Sequence, residues 1–452
     1  MTKKKAVLWV MAFFIIIASP PFTHFFMGKY VDTENYENRS IATKPKLTIE
    51  NYDTFSEEYE EYYNENIPYR NQLITLNNSI DYFLFDQSSN RKVIIGKDGW
   101  LFYCNDDDFN SLEQSLGYWK YSDEQLKMIE ENLKTTKTVL ESQGIEFVLF
   151  IAPNKETVYL DELPDYYKAV DANTSTDQLI NYLKNNVDIR IVYPRDKMEE
   201  IMNTHTDVLL YQKLDTHWNH AGAYVGAASL IEELGGKMPS LEEVCLEPVY
   251  SSVGDLANML NITIKNGNLD YNISDSKVKT AECLKGDFNT EFVFYMPAGD
   301  TRRLFVRRDS FSSLMMPFVA SEFENSLFMH YMSFSQRQIF DYDADIFVLE
   351  TAERYLPSLE NFRVSFIDFS VLEEEDNKII AISPALVPEK PQYVSVSIRQ
   401  ENAEGRVQYS ELEYFDHEIK IQVPIAENGE VYVTVFSNKT GNDVLEERVI
   451  SY

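Results

Sequence analysis

Residues Glu146-Phe-Val-Leu-Phe-Ile-Ala152 are apolar without alternation after the first position. A strand with one face in water alternates in polarity. A continuous run must be covered on both faces, as happens when helices pack above and below a parallel sheet. The flanks agree with a buried strand. Ser122 and Gln125 make a capping box, Leu126, Ile129, Leu133 and Leu140 recur at helical spacing, and Gly144 ends the helix before the strand begins. The rhythm continues with a helix at 177–185, a strand at Ile189–Tyr193, a helix at 195–203, a strand at Val208–Tyr211 and a helix at 221–234. Strands Arg303–Val306 and Asp345–Leu349 follow, with an apolar helix at 313–323 between them. Alternating strands and helices predict an α/β layer on a mostly parallel sheet.

Other stretches obey different rules. Residues 240–300 break the rhythm and read as an insertion. Residues 53–85 carry an amphipathic helical pattern interrupted at Ile67-Pro68, and Val93–Tyr103 reads as two short strands about a Lys97-Asp98-Gly99 turn. The acidic run Glu373–Asp376 reads as a linker. Beyond it, Tyr393–Ile398, Glu418–Val423 and Val431–Phe436 alternate, the last two joined by a loop containing Asn428-Gly429, which predicts a small antiparallel β-sandwich.

The N-terminus carries an address. Lys3, Lys4 and Lys5 precede an uncharged segment from Ala6 to Met27. At about 1.5 Å per residue a helix of that length spans a hydrocarbon core of about 30 Å, although Pro20 and Pro21 are expected to kink or end it. An uncleaved signal anchor is the favoured reading over a cleaved signal peptide, because small residues are lacking at the cleavage positions around Ala18. The lysines then stay cytoplasmic and residues after Lys29 lie outside, on a single-pass, extracytoplasmic protein. With 41 basic and 73 acidic side chains the net charge is −32, which argues against binding to nucleic acid. Cys104, Cys245 and Cys283 are too few for a disulfide framework or a four-cysteine zinc site. Three buried free thiols are expected, with a Cys245–Cys283 bridge as the alternative.

Two segments have the makings of a site. In Leu214-Asp215-Thr216-His217-Trp218-Asn219-His220 an Asp stands two residues before a His, between a predicted strand and a helix. There a carboxylate can orient an imidazole and stabilise its protonated form. The competing readings are an Asp that merely caps a helix, or a metal held by Asp215, His217 and His220. In Asp309-Ser310-Phe311 a serine follows a predicted strand and precedes a helix. Its hydroxyl is then exposed at the sheet edge and its backbone N–H can bind an oxyanion, the competing reading being a helix cap. One segment supplies a nucleophile and the other its base. Asn154, after the first buried strand, is a candidate oxyanion donor and Lys155 a candidate for an anionic substrate group. Glu353-Arg354 reads as a local ion pair, and Arg302, Arg303, Arg307 and Arg308 as a basic patch flanking the serine.

The motifs occur in an order that resembles the DHHW family and the related alginate O-acetylation proteins, which carry an SGNH-hydrolase-like domain. They are Glu37-Asn38-Arg39 with Lys44-Pro45-Lys46-Leu47, Ile95-Gly-Lys-Asp-Gly-Trp-Leu-Phe102, Pro153-Asn154-Lys155-Glu156, Asp215-Thr216-His217-Trp218-Asn219 with Gly222-Ala223, and Asp309-Ser310-Phe311. Thr216 stands where the family name implies a histidine. The resemblance implies Ser310 as nucleophile, His217 as general base and Asp215 as the orienting carboxylate, with Asn154, Lys155 and Trp218 as oxyanion or substrate-binding residues and neither metal nor cofactor. It implies O-acetylation of a surface or secreted polysaccharide beside a membrane-bound O-acyltransferase. A carbohydrate esterase with the same triad and a non-catalytic glycan-binding scaffold are the alternatives. The expected organisation is an anchor at 1–29, a helical and extended segment at 30–110, the SGNH-like domain at 111–370 and a sandwich at 371–452.

Overall fold

The computed structural model describes residues 3–27, 42–49, 51–65, 69–105, 110–274, 278–279, 281–374, 377–385, 392–400, 407–409, 412–424, 429–441 and 444–452. Glu37-Asn38-Arg39, Ile67-Pro68, Glu375-Asp376 and Asn428 lie outside them. Helix α1 (Lys3–Met27) runs on past Pro20 and Pro21, where the sequence predicted a kink or an end. Its Leu8, Trp9, Phe13, Phe14 and Ile15 are exposed. Among the described residues, no helix is long and apolar enough to cross a membrane.

Helices α2 (Phe55–Glu65) and α3 (Arg70–Phe85) precede a hairpin of β1 (Val93–Ile95) and β2 (Leu101–Tyr103), with Asp98 and Gly99 at positive φ in its turn. After α4 (Ser111–Ser115), the expected capping box starts α5 (Asp123–Ser142), which leads into β3 (Glu146–Ala152). Then come α6 (Lys155–Val158), α7 (Ser175–Asn186), β4 (Arg190–Val192), α8 (Arg195–Thr204) and α9 (His220–Glu233). Val208–Tyr211 is not a strand. Asn219 N–H donates to Leu210 O at 3.0 Å, so the chain doubles back with one bridge, Tyr211 to Trp218.

Residues 240–300 are only partly an insertion. β5 (Cys245–Ser251) and β6 (Asn268–Ser274) pair as a separate hairpin, with α10 (Asp255–Met259) between them in sequence. β7 (Glu282–Gly286) and β8 (Glu291–Tyr295), however, extend the main sheet. β9 (Leu304–Arg308), α11 (Ser312–Ala320), β10 (Asn325–His330), α12 (Arg337–Asp341) and β11 (Ile346–Ala352) complete it. The order is β4-β3-β11-β9-β10-β8-β7, parallel from β4 to β10 and antiparallel at β8 and β7. The sheet is therefore mixed, with a parallel majority. β10 escapes the sequence reading because Asn325, Ser326 and His330 interrupt its apolar character.

The unbroken run in β3 has the predicted cause. Val148, Phe150 and Ala152 face one core with α9 and α11, whereas Phe147, Leu149 and Ile151 face another with α5 and α7. Fully burying a side chain of this kind stabilises by about 1.5–3 kcal/mol. The second core continues into two antiparallel sheets. β12 (Ile367–Glu374), β13 (Asn377–Pro384) and β17 (Ile419–Pro424) form one; β14 (Tyr393–Gln400), β15 (Val407–Tyr409), β16 (Glu413–Tyr414), β18 (Gly429–Phe436) and β19 (Val444–Ser451) form the other. Ile380, Ile382, Val394, Val433 and Val435 meet between them. Glu373 and Glu374 of the expected linker belong to β12, facing Lys378 and Asn377 across the ladder. No disulfide joins the three cysteines; Cys245 and Cys283 are exposed and Cys104 half-buried, so neither the bridge nor a set of three buried thiols is present.

Candidate active site

Strand β9 ends at Arg308 and the chain turns through Asp309-Ser310-Phe311 into α11. The buried Asp309 holds that turn. One carboxylate oxygen accepts Phe311 N–H at 2.8 Å and the other accepts Ala352 N–H of β11 at 2.7 Å. Asp309 N–H in turn donates to Glu350 Oε2 at 2.7 Å. Glu350 is fully buried; desolvation and then the neighbouring Asp309 charge raise its carboxyl well above the ordinary range. From below, Trp218 Nε1–H donates to Phe311 O at 2.9 Å. The Ser310 side chain is left exposed on a turn fixed on two sides.

The second loop is built around a buried ammonium. Lys155, at the head of α6, donates to Gln212 O at 3.2 Å, Lys213 O at 3.3 Å and Asp215 O. Burial lowers its pKa to about 8. Asn219 caps α9 through Gly222 N–H at 3.1 Å, and a Cβ on Gly222 would lie 2.2 Å from Leu210 O, so only glycine admits this closeness. Between these supports Asp215 Oδ1 accepts His217 N–H at 3.1 Å and lies 2.7 Å from His217 Nδ1. A carboxylate only accepts, so Nδ1 carries the proton and Nε2 is free to accept from the Ser310 hydroxyl, 2.8 Å away. Burial pushes the Asp215 carboxyl up, but the His217 hydrogen bond and charge, with two backbone N–H donors, bring it down to about 2.

The structure therefore brings Asp215, His217 and Ser310 into one chain of hydrogen bonds. It adds Asp255, which the sequence reading missed. Asp255 N–H donates to Asp215 Oδ2 at 2.9 Å, its carboxylate accepts Thr216 N–H at 2.7 Å and the Thr216 hydroxyl, and Oδ2 lies 3.7 Å from His217 Nδ1. Burial and then the Asp215 charge raise its pKa. Nothing around Asp255 in sequence signals this, since the contact spans forty positions. Glu350 had a signal: an acid directly after the apolar run Ile346–Leu349, within one strand.

The remaining expectations fare differently. Trp218 is buried and offers no surface to a substrate; it holds Phe311. Lys155 is buried with its ammonium on backbone carbonyls, away from any anionic substrate group. Asn154 is buried, with N–H donating to Glu353 Oε2 at 2.7 Å and Oδ1 accepting from Arg354 N–H at 3.3 Å; its Nδ2 has no protein partner. Glu353 and Arg354 do not form the expected pair. The Glu353 carboxylate serves Asn154, Thr157 and Tyr193, while Arg354 lies against Tyr103, Phe311 and Tyr355. Nor is there a basic patch at the serine. Arg302 pairs with Asp300 and Glu146, Arg303 donates to Tyr342 O, Arg307 lies among Tyr331, Phe334 and Phe362, and Arg308 is buried. His220 belongs to no metal set with Asp215; its Nδ1 lies 2.9 Å from Asp270. Among the described residues, the one group with metal-ligand spacing is Asp215, His217 and Asp255, where the inner ring nitrogen is already committed to Asp215.

Comparison with known proteins agrees with the motif reading. Residues 93–283 match the family model of the SGNH hydrolase-like domain of acetyltransferase AlgX, a span that includes Asp215 and His217 and stops short of Ser310. Two curated relatives are called probable alginate O-acetylase AlgJ. The one from Pseudomonas fluorescens is 25% identical over 182 residues, 40% of this chain and 42% of that protein. The one from Pseudomonas putida is 27% identical over 154 residues, 34% and 36% respectively. The chain thus spans about two fifths of the length of the curated relatives it matches. Among solved structures, Bacillus cereus PatB1 is 16% identical with a TM-score of 0.45, covering 60% of this chain and 99% of that one. A DHHW family protein from Eubacterium siraeum is 15% identical with a TM-score of 0.40, covering 60% and 99%.

Proposed function

We propose that this protein, which carries an AlgX-type SGNH hydrolase-like domain, is a serine O-acetyltransferase of a cell-surface or secreted polysaccharide. The observation that carries the reading is the run Asp215–His217–Ser310, with 2.7 Å and 2.8 Å between successive groups. As His217 Nε2 takes the Ser310 proton, the serine oxygen attacks the acetyl carbonyl carbon of a donor ester. The donor's alcohol leaves with that proton, and Ser310 holds the acetyl group. A sugar hydroxyl then gives its proton to His217 and attacks the acyl carbon. Sugar acetate departs and the proton returns to Ser310. Asp215 keeps the imidazole in the required tautomer and balances its transient charge. The Ser310 N–H, just ahead of α11, is the candidate oxyanion donor.

The second reading is an acetyl esterase. The exposure of Ser310 favours it, since water reaches an open acyl-enzyme. The basic Lys3–Lys5 ahead of an uncharged segment are the sequence support for placing the protein outside the cell membrane, where a membrane-bound acyltransferase is the fitting acetyl source. The test uses the full chain with an activated acetyl ester, with and without oligosaccharide. Acetylated sugar marks a transferase, acetate alone an esterase. Equal turnover by the parent, Ser310→Ala and His217→Ala would reject both.

A further inference from the structure

The sheet edge that carries Ser310 also carries large apolar side chains turned to solvent. Phe288 is 68% exposed, Tyr331 46% and Met332 76%. Their position follows from strand register. His330 of β10 sits opposite Arg308 of β9, and neighbouring strands lie about 4.8 Å apart, so Tyr331-Met332 leave the sheet alongside Asp309-Ser310. Phe288 joins them from the turn between β7 and β8. Arg308 Nη2–H donates to Phe288 O at 2.8 Å, His330 N–H to Thr290 O at 2.7 Å, and the Ser333 hydroxyl to Asn289 O at 2.9 Å. The rings are braced as well: Phe288 meets Phe292 edge-on at 5.2 Å, and Tyr331 lies 4.6 Å from the His330 ring. Polar struts thus hold apolar groups outside the core, at the rim of a polar site.

We infer that Phe288, Tyr331 and Met332 form a ledge on which one ring of an uncharged acceptor glycan stacks beside Ser310; this identifies the acceptor class for the acyl-transfer reading above. An aromatic face carries negative quadrupole charge, and the C–H face of a pyranose presents weakly positive hydrogens, so the two associate without needing a charged group. The local charge selects against uronates. Asp215 and Asp255 stand against His217, the chain's net charge is −32, and of the nearby arginines Arg302 is paired, Arg303 and Arg307 pack on aromatic rings and Arg308 is buried. A polymer carrying a carboxylate on every ring meets repulsion from Asp215, Asp255 and the net charge, which Arg307, packed against Tyr331, and Arg308, held on Phe288 O, offset only in part.

The test separates binding from chemistry. Full-length Ser310→Ala protein is titrated calorimetrically at low salt with uncharged hexasaccharides of several linkages and with hexamannuronate. At least one uncharged hexamer should bind at least tenfold more tightly than hexamannuronate. Adding Phe288→Ala or Tyr331→Ala should weaken that binding five- to tenfold, while Tyr331→Phe keeps it. Failure of every uncharged hexamer to bind, equal or tighter binding of the uronate, or unchanged affinity in both alanine variants would overturn the ledge. If the ledge variants behave as expected but the parent protein transfers no acetyl group, the transferase reading falls and the glycan subsite stands.

Discussion

Three positions apart in the sequence, His217 and His220 each have a carboxylate on Nδ1, with Asp215 at 2.7 Å and Asp270 at 2.9 Å. The two pairs share chemistry and differ in what lies across the ring. His217 has Ser310 at 2.8 Å from Nε2, on a turn braced by Asp309, Glu350 and Trp218. His220 is the first residue of α9, and its partner is a strand carboxylate of β6 that also accepts the His220 and Tyr271 N–H groups. An imidazole–carboxylate pair is therefore not a site by itself; the group held at the second ring nitrogen makes it one.

The largest expected effect breaks the first pair outright. Ser310→Ala or His217→Ala should lower acyl-enzyme formation by about a thousandfold or more, whereas His220→Ala should change it by less than about threefold. A burst assay with a chromogenic ester measures both. Asp215→Asn should cost about a hundred- to ten-thousandfold in turnover, because the ring loses its oriented tautomer, and Asp270→Asn should cost little.

The acid side sharpens the contrast. Both aspartates are held below their ordinary value of 3.8, Asp215 at about 2. Stability from these pairs is present above the ordinary value and is lost as pH falls through the depressed one. Asp215→Asn should therefore flatten the acid limb of the unfolding midpoint against pH down to about pH 2. The brace beneath Ser310 has the opposite sign. Glu350 is raised, so its contribution is complete at low pH and declines as pH rises from the ordinary carboxyl range through the raised value, with a slope of at most about 1.4 kcal/mol per pH unit. Glu350→Gln, which mimics the protonated acid, should remove that slope and retain most activity; Glu350→Ala should lose activity. Trp218→Phe, a change in stability and not in the chemistry, should lose the indole bond to Phe311 O and leave a cavity, costing about 2–4 kcal/mol, read by thermal unfolding.

Much of this was legible because the relevant signals are local. The capping box at Ser122, the unbroken run Phe147–Ala152 and the Asp-x-His spacing each act within a few residues. They declare a helix start, a doubly covered strand and an oriented imidazole. Lys155 and Trp218 were visible as residues but not as roles, because burial reverses what a lysine or an indole offers. Buried, Lys155 has to spend its ammonium hydrogens on carbonyls of the loop bearing Asp215, and Trp218 becomes a support for Phe311. The four arginines likewise form a patch only in sequence, since Arg302 and Arg303, ahead of β9, are taken up by Asp300, Glu146 and Tyr342 O, while Arg307 packs on aromatic rings and Arg308 is buried.

By itself, then, the sequence determined the doubly covered strands, the antiparallel character of the C-terminal strands and the residues with chemistry to offer. Their meaning depends on short-range patterning. Tertiary structure alone decided that Ser310 faces His217 across 93 residues, that Asp255 joins them from 40 residues away, and that Arg308 at the end of β9 holds Phe288 O while its neighbour across the ladder, His330, precedes Tyr331. The reason is physical. A hydrogen bond requires a few tenths of an ångström in placement, and that placement is set by sheet order and register, for which no single segment carries the information.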